Sequence, residues 1–145
     1  MAARLNIRNS PSLPHIWNVS QRVGPGSDDP NLGTDVQLLN ALVAIALGHP
    51  QIKRFGINGD SPTPSRGTKF DPVLGFWIFR MQQLGAQPGD GVASPARGIN
   101  FGPGSPWVVV TINRFAKEAD PDLWASLDRN TFLSPQLRAE LSRSS

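Results

Sequence analysis

From Thr34 to Leu47 the apolar residues repeat at helical spacing. Val36, Leu39, Val43 and Leu47 form one stripe, and Leu38, Leu42 and Ile45 form a second beside it. A helix apolar over so much of its circumference belongs at the centre of a core. Thr34 with Gln37 has the form of a capping box, in which side chains satisfy the free N–H groups of the first turn. Gly48-His49-Pro50 has the form of a stop, with Gly as a left-handed cap and Pro unable to continue the helix.

A second helix starts at Asp71-Pro72. The Asp71 carboxylate can accept from first-turn N–H groups, and Pro72 has no N–H to leave unpaired. Val73, Trp77, Met81 and Leu84 fall on one face, flanked by Leu74 and Ile78. A third element follows Ser105-Pro106. Its β-branched run from Val108 to Ile112 favours a strand, whereas the cap and the spacing of Trp107, Val110 and Arg114 favour a helix. Helix is the preferred reading. Short helices over 122–127 and from Ser134-Pro135 through Leu141 complete the chain.

The connections differ in kind. Ile52, Phe55 and Ile57 alternate with polar residues or Gly and predict a short extended segment. The Pro/Ser-rich stretch from Ser61 to Arg66 reads as a surface loop, and 85–104 is dense in turn residues around Asp90-Gly91. Residues 1–33 carry Pro11, Pro14, Pro25 and Pro30, which forbid a long helix, but Ile16, Trp17 and Val19 can lie on the main body. The organisation expected is an extended N-terminal arm over 1–33, a helical core over 34–116 and short C-terminal helices over 117–145. The predicted core is Val36, Leu39, Val43, Leu47, Phe70, Trp77, Ile78, Met81, Trp107 and Ile112. Gly24-Pro25-Gly26-Ser27 recurs at 102–105, an echo that shared turn chemistry accounts for.

Composition narrows the function classes. A chain of 145 residues with 39% hydrophobic content can bury a core as one domain, and its 14 Gly and 14 Pro require long loops. With no cysteine, neither disulfides nor thiolate metal sites are available. The net charge is +3 and the pI near 10.2, yet the cations are scattered, so a nucleic-acid partner is not expected. A mildly basic surface is still drawn to an anionic polymer such as a cell wall. The first residues lack the apolar run of about 7–15 residues that a secretory signal needs. Synthesis in the cytoplasm is expected, with export only by a dedicated machine or lysis. No apolar stretch is long enough for a membrane span.

Catalytic chemistry is sparse. His15 and His49 sit in Pro-flanked loops without metal-ligand spacing, and Asp28-Asp29 adjoin in a turn where carboxylates act as turn formers. There is no G-x-S-x-G elbow and no phosphate-binding Gly loop. The expectation is a protein without enzymatic activity, catalytic residues, cofactor or metal site.

Three segments in order then resemble the small three-helix peptidoglycan-binding domains. Asp35-Val36-Gln37-Leu38-Leu39-Asn40-Ala41-Leu42-Val43 is similar to the family's first helix D-V-x-x-[LV]-Q-x-x-L, with Asn40 at the Gln position. Phe70, Pro72, Ile78 and Gln82 match F-G-P-x-T-x-x-A-V-x-x-F-Q, with Asp71 for Gly, Leu74 for Thr, Trp77 for Ala and Met81 for Phe. Asp90-Gly91-Val92-Ala93-Ser94-Pro95 looks like the D-G-x-x-x-P turn that follows. The resemblance covers about 35–95 and implies a mainly α, peptidoglycan-binding-like helical domain with long Gly/Pro-rich loops and an extended N-terminal arm. It implies a non-catalytic wall-binding or targeting module. The alternative is a structural or adaptor subunit of a phage tail or contractile injection machine, whose partners are neighbouring subunits. Such a protein would be virion- or machine-associated and act at the wall. The resemblance points to a ligand groove between the two helices and the D-G turn, with Asn58, Asp60, Arg66, Gln82 and Asp90 as candidate ligand-binding residues. Gln82 and Asp90 can alternatively hold the turn, Asn58 and Asp60 can form turns, and Trp77 reads as core before sugar platform.

Overall fold

The computed structural model describes residues 1–7, 12–55, 62–97 and 105–143. Their fold is mainly α. Strands β1 (Ala3–Asn6) and β2 (His15–Asn18) pair antiparallel, with Ala3 opposite Asn18 and Asn6 opposite His15. Six helices follow: α1 (Gly33–Ala46), α2 (Pro50–Phe55), α3 (Pro72–Leu84), α4 (Val108–Ala119), α5 (Pro121–Ala125) and α6 (Pro135–Leu141). A 3₁₀ turn, Leu127–Arg129, joins the last two. The central pair is α1 and α4, with α3 packed on both, and β2 and α5 packed on α4. Helix α6 closes the fold against α1, the 3₁₀ turn and β1.

The core is wider than the helical pattern predicts. Val36, Leu39, Val43, Trp77, Ile78, Met81 and Ile112 are buried as expected, whereas Leu47, Phe70 and Trp107 are half-buried. Phe70 instead covers Gly75, where a Cβ would come within 3.0 Å of its ring. The N-terminal segment contributes Ile16, Trp17, Val19 and Val23 to the same core, and the C-terminal segment contributes Trp124, Leu137 and Leu141. Trp17 and Trp124 meet edge-to-face at 6.3 Å, a favoured aromatic geometry.

Local rules hold where no tertiary partner competes. Asp71 Oδ1 accepts from the Leu74 N–H at 2.8 Å, and Ser134 Oγ from the Leu137 N–H at 3.1 Å, each before a Pro at the helix start. The capping box of α1 does not form. Leu32 occupies the N-cap without a side-chain bond, and Thr34 and Gln37 are drawn to the α6 end of the molecule. The Thr34 hydroxyl donates to Glu140 Oε1 at 3.1 Å, and Gln37 Oε1 accepts from the Ser134 N–H at 3.1 Å. The same Glu140 oxygen accepts from the Ala2 N–H at 2.8 Å, so one buried carboxylate ties β1, α1 and α6 together.

Two further expectations are corrected. Gly48 is no left-handed cap: Leu47 ends α1 in a right-handed conformation (φ −60°, ψ −19°) and the chain runs directly into α2. Residues 50–55 are therefore helical, not extended. Pro50 supplies the preset φ of a first helical position, and His49 Nδ1 accepts from the Gln51 N–H at 3.0 Å. Element α4 is helical despite its β-branched run, and it starts at Val108, after the Ser105-Pro106 pair. Val108 to Asn113 are all buried, so tertiary burial outweighs a weak local propensity. Among the described residues, no helix is long and apolar enough to cross a membrane.

Candidate functional site

A groove of about 640 Å³ lies between α1, the 63–66 segment and the chain from Leu123 to Leu133. Its floor is apolar: Ala41, Ala44 and Ile45 from α1, with Leu127 and Leu133 opposite. Small residues on that face of α1 leave the space, because Ala side chains cannot fill it. Phe132 stands at the groove 67% exposed, an unusual position for a large apolar ring. The Arg66 guanidinium lies 4.3 Å from its ring centroid, a cation–π stack.

The polar lining is one-sided in charge. Arg66 and Arg129 both line the groove, and among the described residues no carboxylate does. Arg129 approaches Asp128 at 4.0 Å with its side chain 78% exposed, so solvent screens that pair. Deeper in, Asn40 is 1% exposed. Its Nδ2 donates to the Gly67 carbonyl at 3.2 Å, which fixes the amide orientation, and lies 3.5 Å from Ser65 Oγ. Its Oδ1 is buried with no donor among the described residues. An unpaired buried acceptor of this kind costs about 1–3 kcal/mol relative to a satisfied one.

The expected site residues are divided between two places. Arg66 belongs to this groove. Gln82, in the last turn of α3, and Asp90, in the turn that follows, lie near a separate hollow of about 440 Å³ lined by Pro25, Phe70 and Gly91. There, Gln82 Nε2 donates to Asp90 Oδ1 at 2.7 Å and to the Val92 carbonyl at 3.1 Å, while Gln82 Oε1 accepts from the Gly91 N–H at 2.9 Å. Asp90 Oδ1 also accepts from the Val92 N–H at 2.9 Å. Gly91 sits at φ +72°, so the turn needs Gly there. Gln82 thus spends its amide on shaping the turn. Asn58 and Asp60 lie outside the described residues. Trp77 is 1% exposed, its indole donating to the Pro62 carbonyl at 2.7 Å, so it is a core residue.

The two histidines sit elsewhere. His15 stacks on Trp124 at 4.5 Å and meets Trp17 edge-on at 4.8 Å. Burial lowers its pKa; Arg4 and Lys117 push the same way, and Asp128 opposes them. His49 Nε2 lies 2.7 Å from Glu118 Oε2, and Asp29 accepts from the Gly26 N–H at 2.9 Å, as a turn former does. Among the described residues, no three His, Asp or Glu side chains converge as a metal site would require.

Sequence reasoning passed over Asn40 and Phe132 as site residues. Asn40 carried a signal, since it is the one amide inside the apolar stretch from Leu38 to Leu47. Phe132 carried none, lying in a turn whose exposure only the fold sets. No protein-family model, no curated protein and no solved structure matches this chain.

Proposed function

We propose that this protein is a non-catalytic module that binds peptidoglycan, through the groove beside α1. The observation that carries the reading is the groove's composition: an apolar floor, an exposed Phe132 ring under the Arg66 guanidinium, and cationic walls without a carboxylate among the described residues. Aromatic and guanidinium surfaces suit a neutral sugar face or amide plane beside anionic groups, and the wall polymer offers both. The resemblance to peptidoglycan-binding domains supports it. Helices α1, α3 and α4 would be the three helices of such a domain, with the Gln82–Asp90–Gly91 turn following the second of them. The groove is preferred to the turn as the site because Gln82 commits its amide to shaping that turn. The module would reach the wall as part of a virion or injection machine.

Co-sedimentation with insoluble sacculi at low and moderate salt tests this. Retention at moderate salt, reduced by Phe132→Ala, is the expected result; failure to pellet, or release by modest salt, overturns it. The second reading, a structural or adaptor subunit of a phage tail or injection machine, draws on another surface. Phe76 and Phe79 are 38% and 40% exposed on the outward side of α3, as subunit contacts are. That reading predicts no retention on sacculi and a stable complex with a neighbouring subunit.

A further inference from the structure

We infer that the groove takes a peptide end, an N-acylated residue with a free carboxylate, and not a sugar ring. The inference rests on the peptidoglycan reading and names which part of that polymer, the stem peptide, would enter. Three features of the groove converge on that chemistry.

First, the charge is complementary to an anion. Arg66 has no carboxylate partner among the described residues, and Arg129 has one distant, solvent-screened neighbour. A planar guanidinium presents paired donors that match a carboxylate's two oxygens, which a hydroxyl cannot exploit. Second, the buried Asn40 Oδ1 asks for a donor, and its Nδ2 is already committed to the Gly67 carbonyl. A peptide N–H supplies a single directed donor beside a carbonyl and a carboxylate. Oδ1 has no open surface, so a ligand N–H meets it only if the 63–66 segment, whose Ser65 Oγ lies 3.5 Å from the Asn40 amide nitrogen, is displaced on binding. Third, about 640 Å³ over Ala41 and Ala44 suits small side chains, within the usual range for a pocket that encloses a few residues.

Binding is then one carboxylate to the guanidinium side, one amide N–H to Asn40, and small methyl groups on the Ala floor. Nothing is transferred or cleaved.

The test is titration of the full chain, followed by amide NMR shifts and calorimetry, with N-acetyl-dialanine as probe. Its methyl amide and the N-acetylglucosamine dimer serve as comparators. Binding of the free carboxylate form is expected, with shifts at Asn40, Ser65 and Arg66, weakened about tenfold in the methyl amide. Arg66→Gln, at an exposed position that leaves the fold intact, is expected to erase that preference. Equal binding of acid and methyl amide, or a stronger response to the sugar dimer, overturns the inference, as does binding unaffected by Arg66→Gln. The wall reading fails separately. Sacculi retention without probe binding removes the peptide-end inference and keeps wall binding; probe binding without sacculi retention removes wall binding and keeps the groove.

Discussion

Two buried asparagines make opposite use of the same amide. Asn113, in the middle of α4, has every partner it needs. Its Oδ1 accepts from the Trp17 N–H at 2.9 Å and the Trp124 indole at 3.0 Å, and its Nδ2 donates to the Trp17 and Val109 carbonyls at 3.0 and 2.8 Å. Asn40, in the middle of α1, has an oxygen without a donor among the described residues, beside a groove. A saturated amide joins parts of the fold, here the N-terminal hairpin, α4 and α5. An unsaturated one carries a desolvation cost that no hydrogen bond offsets. The difference separates two uses of one side chain where residue type and burial do not.

The largest expected effect breaks the saturated member. Asn113→Ala strands the Trp17 N–H and the Trp124 indole in the core, and should lower stability by about 3–5 kcal/mol in chemical denaturation. A loss below about 1 kcal/mol would mean that the hairpin and α5 are not held through this amide. Next comes the turn amide. Gln82→Met orphans the Gly91 N–H and releases Asp90, for a cost of about 1–3 kcal/mol by the same measurement. Asn40→Leu sharpens the contrast by doing little. It removes the orphaned oxygen together with one bond to Gly67, so stability should change by no more than about 1 kcal/mol while sacculi retention falls. A loss as large as that of Asn113→Ala would make Asn40 architectural too.

The smallest effect tests the Trp17–Trp124 region by pH. The folded-state pKa of His15 lies below its ordinary 6.5, through burial first and then Arg4, with Lys117 adding and Asp128 opposing. The unfolded chain therefore binds the proton more readily, and the sign follows: the His15 contribution is complete above pH 6.5 and declines as pH falls below it, levelling off under the folded pKa. His15→Phe keeps a ring against Trp124 and should flatten that part of the stability–pH curve. An unchanged slope would place the titration elsewhere.

How much of this was legible depends on range. The caps at Asp71 and Ser134 were readable because donor and acceptor lie within one helical turn. The Thr34–Gln37 box was misread because Glu140 and Ser134, a hundred residues away in order of magnitude, compete for the same side chains. Residues 50–55 were misread because Ile52 and Phe55 fit either period over so short a run. The Gln82–Asp90 pairing was open to sequence reasoning through a turn motif, yet its hydrogen bonds show shaping rather than a free ligand surface. The groove was not legible. It arises where Ala41 and Ala44 face a connection near Phe132, and no local pattern encodes that juxtaposition.

The Glu140 carboxylate has a kinetic consequence. Helical proteins commonly fold fast because their contacts are local. Here the tie from Ala2 to Glu140 and the bonds from Trp17 to Asn113 and Trp124 span most of the polypeptide. The rate-limiting step should then resemble that of a β-sandwich, with α1 and α4 docking early and the hairpin sealing last. On a ribosome, the tie from Ala2 to Glu140 cannot form until α6 has emerged.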